Sequence, residues 1–283
     1  MAISPKALLE QKDLRPKKSF GQNFMLDQNI NRIIADAAKS LCSPGTVELI
    51  EIGAGTGSLT THLQALGLPL HAIERDRDLV PILREQFEAN LAGGQFFLHE
   101  ADGVSIDYEA LLSLGAQGVV VGNLPYHLTS SILIKLLHTR KIIGGVFLLQ
   151  KEVADRLASK PNSKEYGFLT VMLALAFKVE LVTNVNRNAF WPVPNVDSAV
   201  IRLVALDKTR SHEYDVDGLL KFVRSIFQKR RKKLSTILKP DFASGDFLAV
   251  GIDPDLRPEN LAPQQFLQLF IHNENKSCLK DQK

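Results

Sequence analysis

From Val47 onward the chain repeats one pattern: a short, almost uninterrupted run of aliphatic residues, then a longer stretch with helical spacing of its apolar positions. The runs are VELIEI, LPLHAIE, FFLHEAD, GVVVGN and GVFLLQ. A strand with one face in water alternates apolar and polar residues, whereas a strand covered on both faces reads as a continuous apolar run. Helix-like segments such as Leu79 to Leu91 between the runs supply the crossovers that parallel strands need. The expectation is an α/β fold, a doubly wound and mostly parallel sheet of seven strands. After Phe190 the Pro-rich WPVPNVDS leads into a last strand, AVIRLVAL, and from Tyr214 the pattern is helical only. Pro240, Pro254, Pro258 and Pro263 divide that tail into short helices. Two domains are expected, a catalytic one over 1–209 and a small helical one over 210–283, consistent with 283 residues of which 45% are hydrophobic.

Several classes of function are disfavoured. No run approaches the roughly 20 apolar residues of a spanning helix. The first fourteen residues carry Lys6, Glu10, Lys12 and Asp13 and lack an apolar core, so a secretory leader is not expected and a cytoplasmic location is. Cys42 and Cys278 are the only cysteines, and the seven His show no ligand spacing, so neither a disulfide framework nor a metal site is expected. The net charge of +3 says little, but its distribution says more. Between Gly218 and Pro240 lie Lys221, Arg224, Lys229, Arg230, Arg231, Lys232, Lys233 and Lys239 with no acidic residue, an excess suited to phosphates. Arg15, Lys17 and Lys18 form a smaller cluster. For an isolated basic run, a solvated helical face is the plainer reading.

Two motifs point to chemistry. Glu51-Ile-Gly53-Ala54-Gly55-Thr-Gly57 follows an apolar strand and precedes a helix, where the backbone turns sharply and a ligand approaches closely. Its G-x-G-x-G spacing departs from the G-x-G-x-x-G of pyrophosphate-binding loops. Glu74 ends the next strand, where a carboxylate accepts from both hydroxyls of a ribose. Asp102, ending the third run, is placed to accept from an adenine amino group. Loop and acid together suit a nucleoside cofactor without demanding phosphate.

The second motif, Asn123-Leu124-Pro125-Tyr126, closes the GVVVG run at the carboxyl end of a central strand, the usual ligand address of open α/β sheets. An exocyclic adenine amine is a poor nucleophile because its lone pair is delocalised into the ring. The Asn123 oxygen and a carbonyl of Leu124-Pro125 accept its two N–H bonds and favour a pyramidal nitrogen. Pro125 stiffens the turn, Tyr126 offers a face to a flipped-out base, and Phe190 the opposite face. Each motif taken alone is also compatible with an ordinary turn.

With these residues in view, the chain resembles the ribosomal RNA adenine N6,N6-dimethyltransferases of the bacterial small-subunit type. The likeness runs almost end to end: KKSFGQNFMLDQNI, EIGAGTGSLT, GNLPY, QKEVADRL, YGFLTVML, FWPVPNVDSAVIRL and FQKRRKKLSTIL. It implies a class I methyltransferase fold with a helical C-terminal domain, using S-adenosyl-L-methionine to dimethylate two adjacent adenosines near the 3′ end of 16S rRNA within the small ribosomal subunit, with a role in subunit biogenesis. It also implies that Asn23 and Met25 line the cofactor pocket with Gly53, Gly55, Glu74, Asp102 and Asn123. Lys17, Lys18, Lys229, Arg230, Arg231, Lys232 and Lys233 then read as RNA contacts, and a monomer is the expected state. Met25 stands where Leu is usual, Ala54 where Pro is commoner, and Asn195 where many members carry Lys. Rival readings are a large-subunit adenosine methyltransferase of the antibiotic-resistance kind, a mitochondrial relative serving in transcription, and a non-catalytic assembly factor on the same fold.

Overall fold

The computed structural model describes residues 4–42, 46–206, 214–239 and 241–280, except the side chains of Lys18 and of 277–280. The chain divides into two compact units, one of Met1–Ala154 with Phe177–Thr209 and one of Asp155–Ala176 with Arg210–Lys283.

The first unit holds a seven-stranded sheet: β1 (Val47–Ile52), β2 (Leu70–Glu74), β3 (Phe96–Glu100), β4 (Gln117–Asn123), β5 (Ile142–Gln150), β6 (Phe177–Val185) and β7 (Ser198–Ala205). The spatial order is β3-β2-β1-β4-β5-β7-β6. All pairs are parallel except those of β7, which runs antiparallel between β5 and β6. Every residue of β1 is buried, as a strand covered on both faces requires. The chain builds outward from β1 through β2 to β3, then returns to lay β4 on the other side of β1. That reversal opens a crevice beyond the carboxyl ends of β1 and β4.

Two helices precede the sheet, α1 (Pro5–Gln11) and α2 (Gln28–Lys39), and α3 (Ser58–Gln64) makes the first crossover, from β1 to β2. Asp27 caps α2 by accepting from the Asn29 N–H, and the helix packs its buried Ile34, Ala35 and Ala38 face against α3, β4, β5 and β7. The segment expected as one helix from Leu79 to Leu91 is two, α4 (Val80–Gln86) and α5 (Glu88–Ala92), broken at Phe87, whose buried ring packs on Phe96 of β3. Two further helices, α6 (Tyr108–Leu111) and α7 (Thr129–Leu137), flank β4. The helix α8 (Lys151–Leu157) follows β5 directly.

The second unit is helical: α9 (Phe168–Ala176), α10 (Val216–Gln228), α11 (Leu234–Ile237), α12 (Ser244–Val250) and α13 (Pro263–Lys280). Here the expected division is corrected, because residues 155–176 were read as part of a domain spanning 1–209. The reason is packing: α9, FLTVMLALA, has almost no polar face and is covered by α10 and α13. The buried Tyr166 just before it donates its hydroxyl to the Leu261 carbonyl (2.9 Å). The expected boundary between 209 and 210 lies outside the described residues. α13 is also longer than the short helices expected of the tail.

Candidate active site

The glycine loop is where the sequence places it, between β1 and α3. Gly53, Gly55 and Gly57 all have φ between 60° and 78°, a region that side chains with a Cβ enter only under strain. That conformation turns the Gly55 N–H onto Glu74 Oε2 (2.7 Å), while the Asp76 N–H reaches Oε1 (2.7 Å). Glu74 is therefore pinned at the end of β2 by two backbone donors. Burial pushes its carboxyl above the ordinary range, and those two N–H groups partly oppose the shift. Asp102 accepts from the Val104 N–H (2.8 Å) and forms an ion pair with Arg75 (2.8 Å). Each carboxylate oxygen keeps a second lone pair for an incoming donor.

Asn123 ends β4 beside the loop. Its Nδ2 donates to the Asn23 carbonyl (3.0 Å), which fixes the orientation of the amide and leaves Oδ1 as its free acceptor end. Pro125 presents its carbonyl to the Leu128 N–H (2.9 Å), so the Leu124 carbonyl is the backbone acceptor left to this turn. The Tyr126 hydroxyl bonds to the buried Ser198 hydroxyl (3.2 Å) and so tethers a half-buried ring at the mouth of the crevice.

Gly53, Gly55, Glu74, Asp102, Asn123, Leu124, Pro125, Tyr126 and Asn23 all line one cleft of about 900 Å³, part of it open to solvent. The remaining lining includes Phe20, Gln22, Phe24 and Arg75, which sequence reasoning did not single out. The first three lie in the FGQNF stretch, part of the segment KKSFGQNFMLDQNI that carries the family likeness. The Arg75 guanidinium sits over the Phe20 ring (5.6 Å). A shallower groove shares Tyr126 and Asn23 with the cleft and is walled by Arg15, Trp191, Pro192 and Asn195.

Two expected site residues are not brought to the cleft. Met25 and Phe190 pair across a two-stranded ribbon, Phe24–Met25 with Phe190–Trp191, and both side chains turn into the apolar core. Phe190 is only 2% exposed, and its neighbour Trp191 faces the groove instead. The reason is strand alternation: with Phe190 inward, the next residue points out. Nor is the basic set uniform. Lys17 is held by Asp76 and Asp78 (2.6 Å to the latter), bonds that raise its pKa, and it is not a free phosphate ligand. The Lys18 side chain lies outside the described residues. In the helical unit Arg230 spends its guanidinium internally, on Glu259 and on the Ser163 and Lys164 carbonyls, and Lys233 pairs with Asp255. Lys229, Arg231 and Lys232 are exposed.

Among the described residues, no group of three or more His, Cys, Asp or Glu side chains is placed to hold a metal ion, and no helix is long and apolar enough to cross a membrane.

The chain as a whole is similar to known proteins. A ribosomal RNA small subunit methyltransferase A of Pseudomonas aeruginosa is 38% identical over 257 residues, covering 90% of this chain and 93% of that protein. Its counterpart in Myxococcus xanthus is 38% identical over 272 residues, covering 93% of each. Among solved structures, a dimethyladenosine transferase from Plasmodium falciparum superposes with a TM-score of 0.75 at 23% identity, covering 90% of this chain and 98% of that one. The 23S rRNA methyltransferase ErmE superposes with a TM-score of 0.66 at 24% identity, covering 89% and 100%. At such identities the two structures establish the class I methyltransferase fold. The family model for ribosomal RNA adenine dimethylase matches residues 14–274, and the chain belongs to that family.

Proposed function

We propose that the protein transfers methyl groups from S-adenosyl-L-methionine to N6 of two adjacent adenosines near the 3′ end of 16S rRNA, acting on the small ribosomal subunit in the cytoplasm as a monomer. The observation that carries this reading is the Asn123 amide, held through its nitrogen by Asn23 with its oxygen uncommitted, in the same cleft as Glu74 and the glycine loop. The donor set fits a nucleoside: two carboxylates, Glu74 and Asp102, and an apolar wall that includes Ile52, Ile73 and Leu79, while the Arg75 guanidinium in the lining is already paired with Asp102.

When bound, S-adenosyl-L-methionine supplies a sulfonium-activated methyl whose leaving group is a neutral thioether. The chain's own residues do the rest. Glu74 would hold the donor by accepting from its ribose hydroxyls, and Asp102 by accepting from its adenine amino group. Asn123 Oδ1 and the Leu124 carbonyl accept the two N–H bonds of the target amine, so its lone pair turns out of conjugation and toward the methyl. Because the leaving group would depart as a neutral thioether and the methylated amine would release its proton to solvent, these residues would need to supply no strong general base. Tyr126 stacks on the flipped base. Trp191 and Arg15 border the groove through which the strand reaches it. Lys229, Arg231 and Lys232 contact RNA phosphates.

The test is transfer of labelled methyl groups to unmethylated small subunits, with protein-free large-subunit RNA in parallel, followed by mapping. Dimethyladenosine in the small subunit alone is expected. Label in large-subunit RNA would select the resistance-type activity, and no label would leave the assembly-factor role.

A further inference from the structure

Asp76 is 2% exposed, two residues past Glu74, and the reaction described above leaves it without a task. Its backbone N–H holds Glu74 Oε1 (2.7 Å), but its side chain faces the other way, toward the N-terminal segment. There Oδ2 accepts from Gln22 Nε2 (2.7 Å) and Oδ1 from the Lys17 ammonium. The other end of the Gln22 amide accepts from the Lys17 backbone N–H (2.7 Å). Both ends of Gln22 are thus fixed, and the amide cannot turn over without losing two bonds. The next carbonyl along the chain is that of Asn23, the acceptor for Asn123 Nδ2 (3.0 Å). Hydrogen bonds and one peptide link therefore run without a gap from the carboxylate assigned to the ribose to the amide assigned to the target nitrogen.

We propose that Gln22 and Asp76 are positioning residues for methyl transfer: the bond between them fixes the Asn23 carbonyl, which in turn holds Asn123 with its oxygen, and not its NH2, toward the target amine. This rests on the functional reading above and deepens it. An amide presents an acceptor on one side and donors on the other, so releasing its nitrogen allows the orientation that repels an adenine N–H. Misplacement of a reacting group by about 1 Å can cost on the order of a hundredfold in rate. A purely structural role for the clamp is not needed, because the N-terminal segment is anchored elsewhere. Leu9 is buried with Phe24, Leu79 and Ile82, and Lys12 pairs with Glu85.

The donor and acceptor can be exchanged. Gln22→Glu sets a carboxylate against the Asp76 carboxylate, and Asp76→Asn leaves its new amide unable to satisfy both Gln22 and Lys17. Combined, the two restore every bond with the polarity reversed: the new carboxylate accepts from the Lys17 N–H and from the new amide, whose oxygen accepts from the Lys17 ammonium. Each single variant is expected to melt lower than wild type. Assayed well below its own midpoint, where it is fully folded, it should still lower kcat about tenfold or more on small subunits with S-adenosylhomocysteine affinity within about threefold of wild type, while the double variant recovers the midpoint and comes within about threefold of the wild-type rate. Single variants with full kcat would overturn the proposal, as would kcat losses that merely track lost stability or lost S-adenosylhomocysteine binding, or a double variant no better than either single. Absence of methyl transfer by the wild type would instead overturn the functional reading, and the proposal with it.

Discussion

Arg230 separates two roles that a basic run leaves confounded. In QKRRKK it reads as one phosphate ligand among several, but its three guanidinium nitrogens are already committed: Nε to Glu259 (2.7 Å), Nη1 to the Lys164 carbonyl (2.7 Å) and Nη2 to the Ser163 carbonyl (3.1 Å). The Glu259 carbonyl also accepts from the Asn162 N–H (2.7 Å), so the fork ties the loop before α9 to the turn before α13. Charge-assisted bonds contribute about 1.5–3 kcal/mol each when well buried. Arg230 and Glu259 are each about one-third exposed, so solvent screens the pair and rehydrates the freed carbonyls. Discounting accordingly, Arg230→Ala is expected to cost about 2–3 kcal/mol in all, or roughly 5–10 °C in thermal midpoint. Arg230→Lys should lose most of the same amount, because an ammonium cannot reproduce the planar fork. Arg231→Ala and Lys232→Ala should leave the midpoint alone and each reduce the slope of log K against log salt by about 0.7–0.9. Scanning calorimetry and salt-titrated binding of a small-subunit 3′-end RNA measure both quantities. An Arg230→Lys protein of unchanged midpoint would refute the structural assignment, and an Arg230→Ala protein of unchanged midpoint with a shallower slope would restore the phosphate reading.

Asn123→Ala should lower kcat by a hundredfold or more, on the order of what one positioned donor or acceptor supplies, while Glu74→Ala should weaken S-adenosylhomocysteine binding about a hundredfold through loss of two charge-assisted bonds; calorimetric titration that found equal losses in both would contradict the division of labour. Glu51, 1% exposed on β1, has its carboxyl pushed up to about 8 by burial and by the nearby Glu74, with an opposing bond from the Thr60 hydroxyl (2.7 Å). A carboxyl whose folded pKa is raised favours folding below its unfolded value near 4.3 and loses that advantage as pH rises through the folded value. Wild type should therefore lose at least about 1 kcal/mol, some 2–4 °C, relative to Glu51→Gln between pH 5.5 and 8.5; parallel melting curves across that range would show that Glu51 ionises normally.

What the sequence disclosed and what it hid follow from how far each signal reaches along the chain. Continuous apolar runs report strands covered on both faces, and that local property placed β1, β2, β4 and β5; β3, an edge strand in which only Phe96 is buried, was legible from its short FFL run instead. The edge strand β6, FKVELVTNV, went unread because an edge strand needs neither continuous nor strictly alternating apolar residues, and its pairing with β7 slips between Leu181 and Thr183. The expected site residues that line the cleft share one trait: each ends a strand or sits in the loop leaving one, so the open sheet's geometry brings Gly53, Glu74, Asp102 and Asn123 together without further information. Phe190 and Met25 lie away from the cleft because their facing depends on pairing with a segment some 165 positions away, and a shift of one residue in that ribbon exchanges Phe190 for Trp191. Charge failed for a related reason. Composition counts Arg230 and Lys17 as cations available to a ligand, but availability depends on whether a carboxylate or carbonyl from elsewhere in the chain arrives first. For Arg230 it is Glu259, and for Lys17 it is Asp76. The Lys17–Asp76 pair then takes on a different meaning: a lysine that looks like part of an RNA surface belongs to the scaffold that orients Asn123.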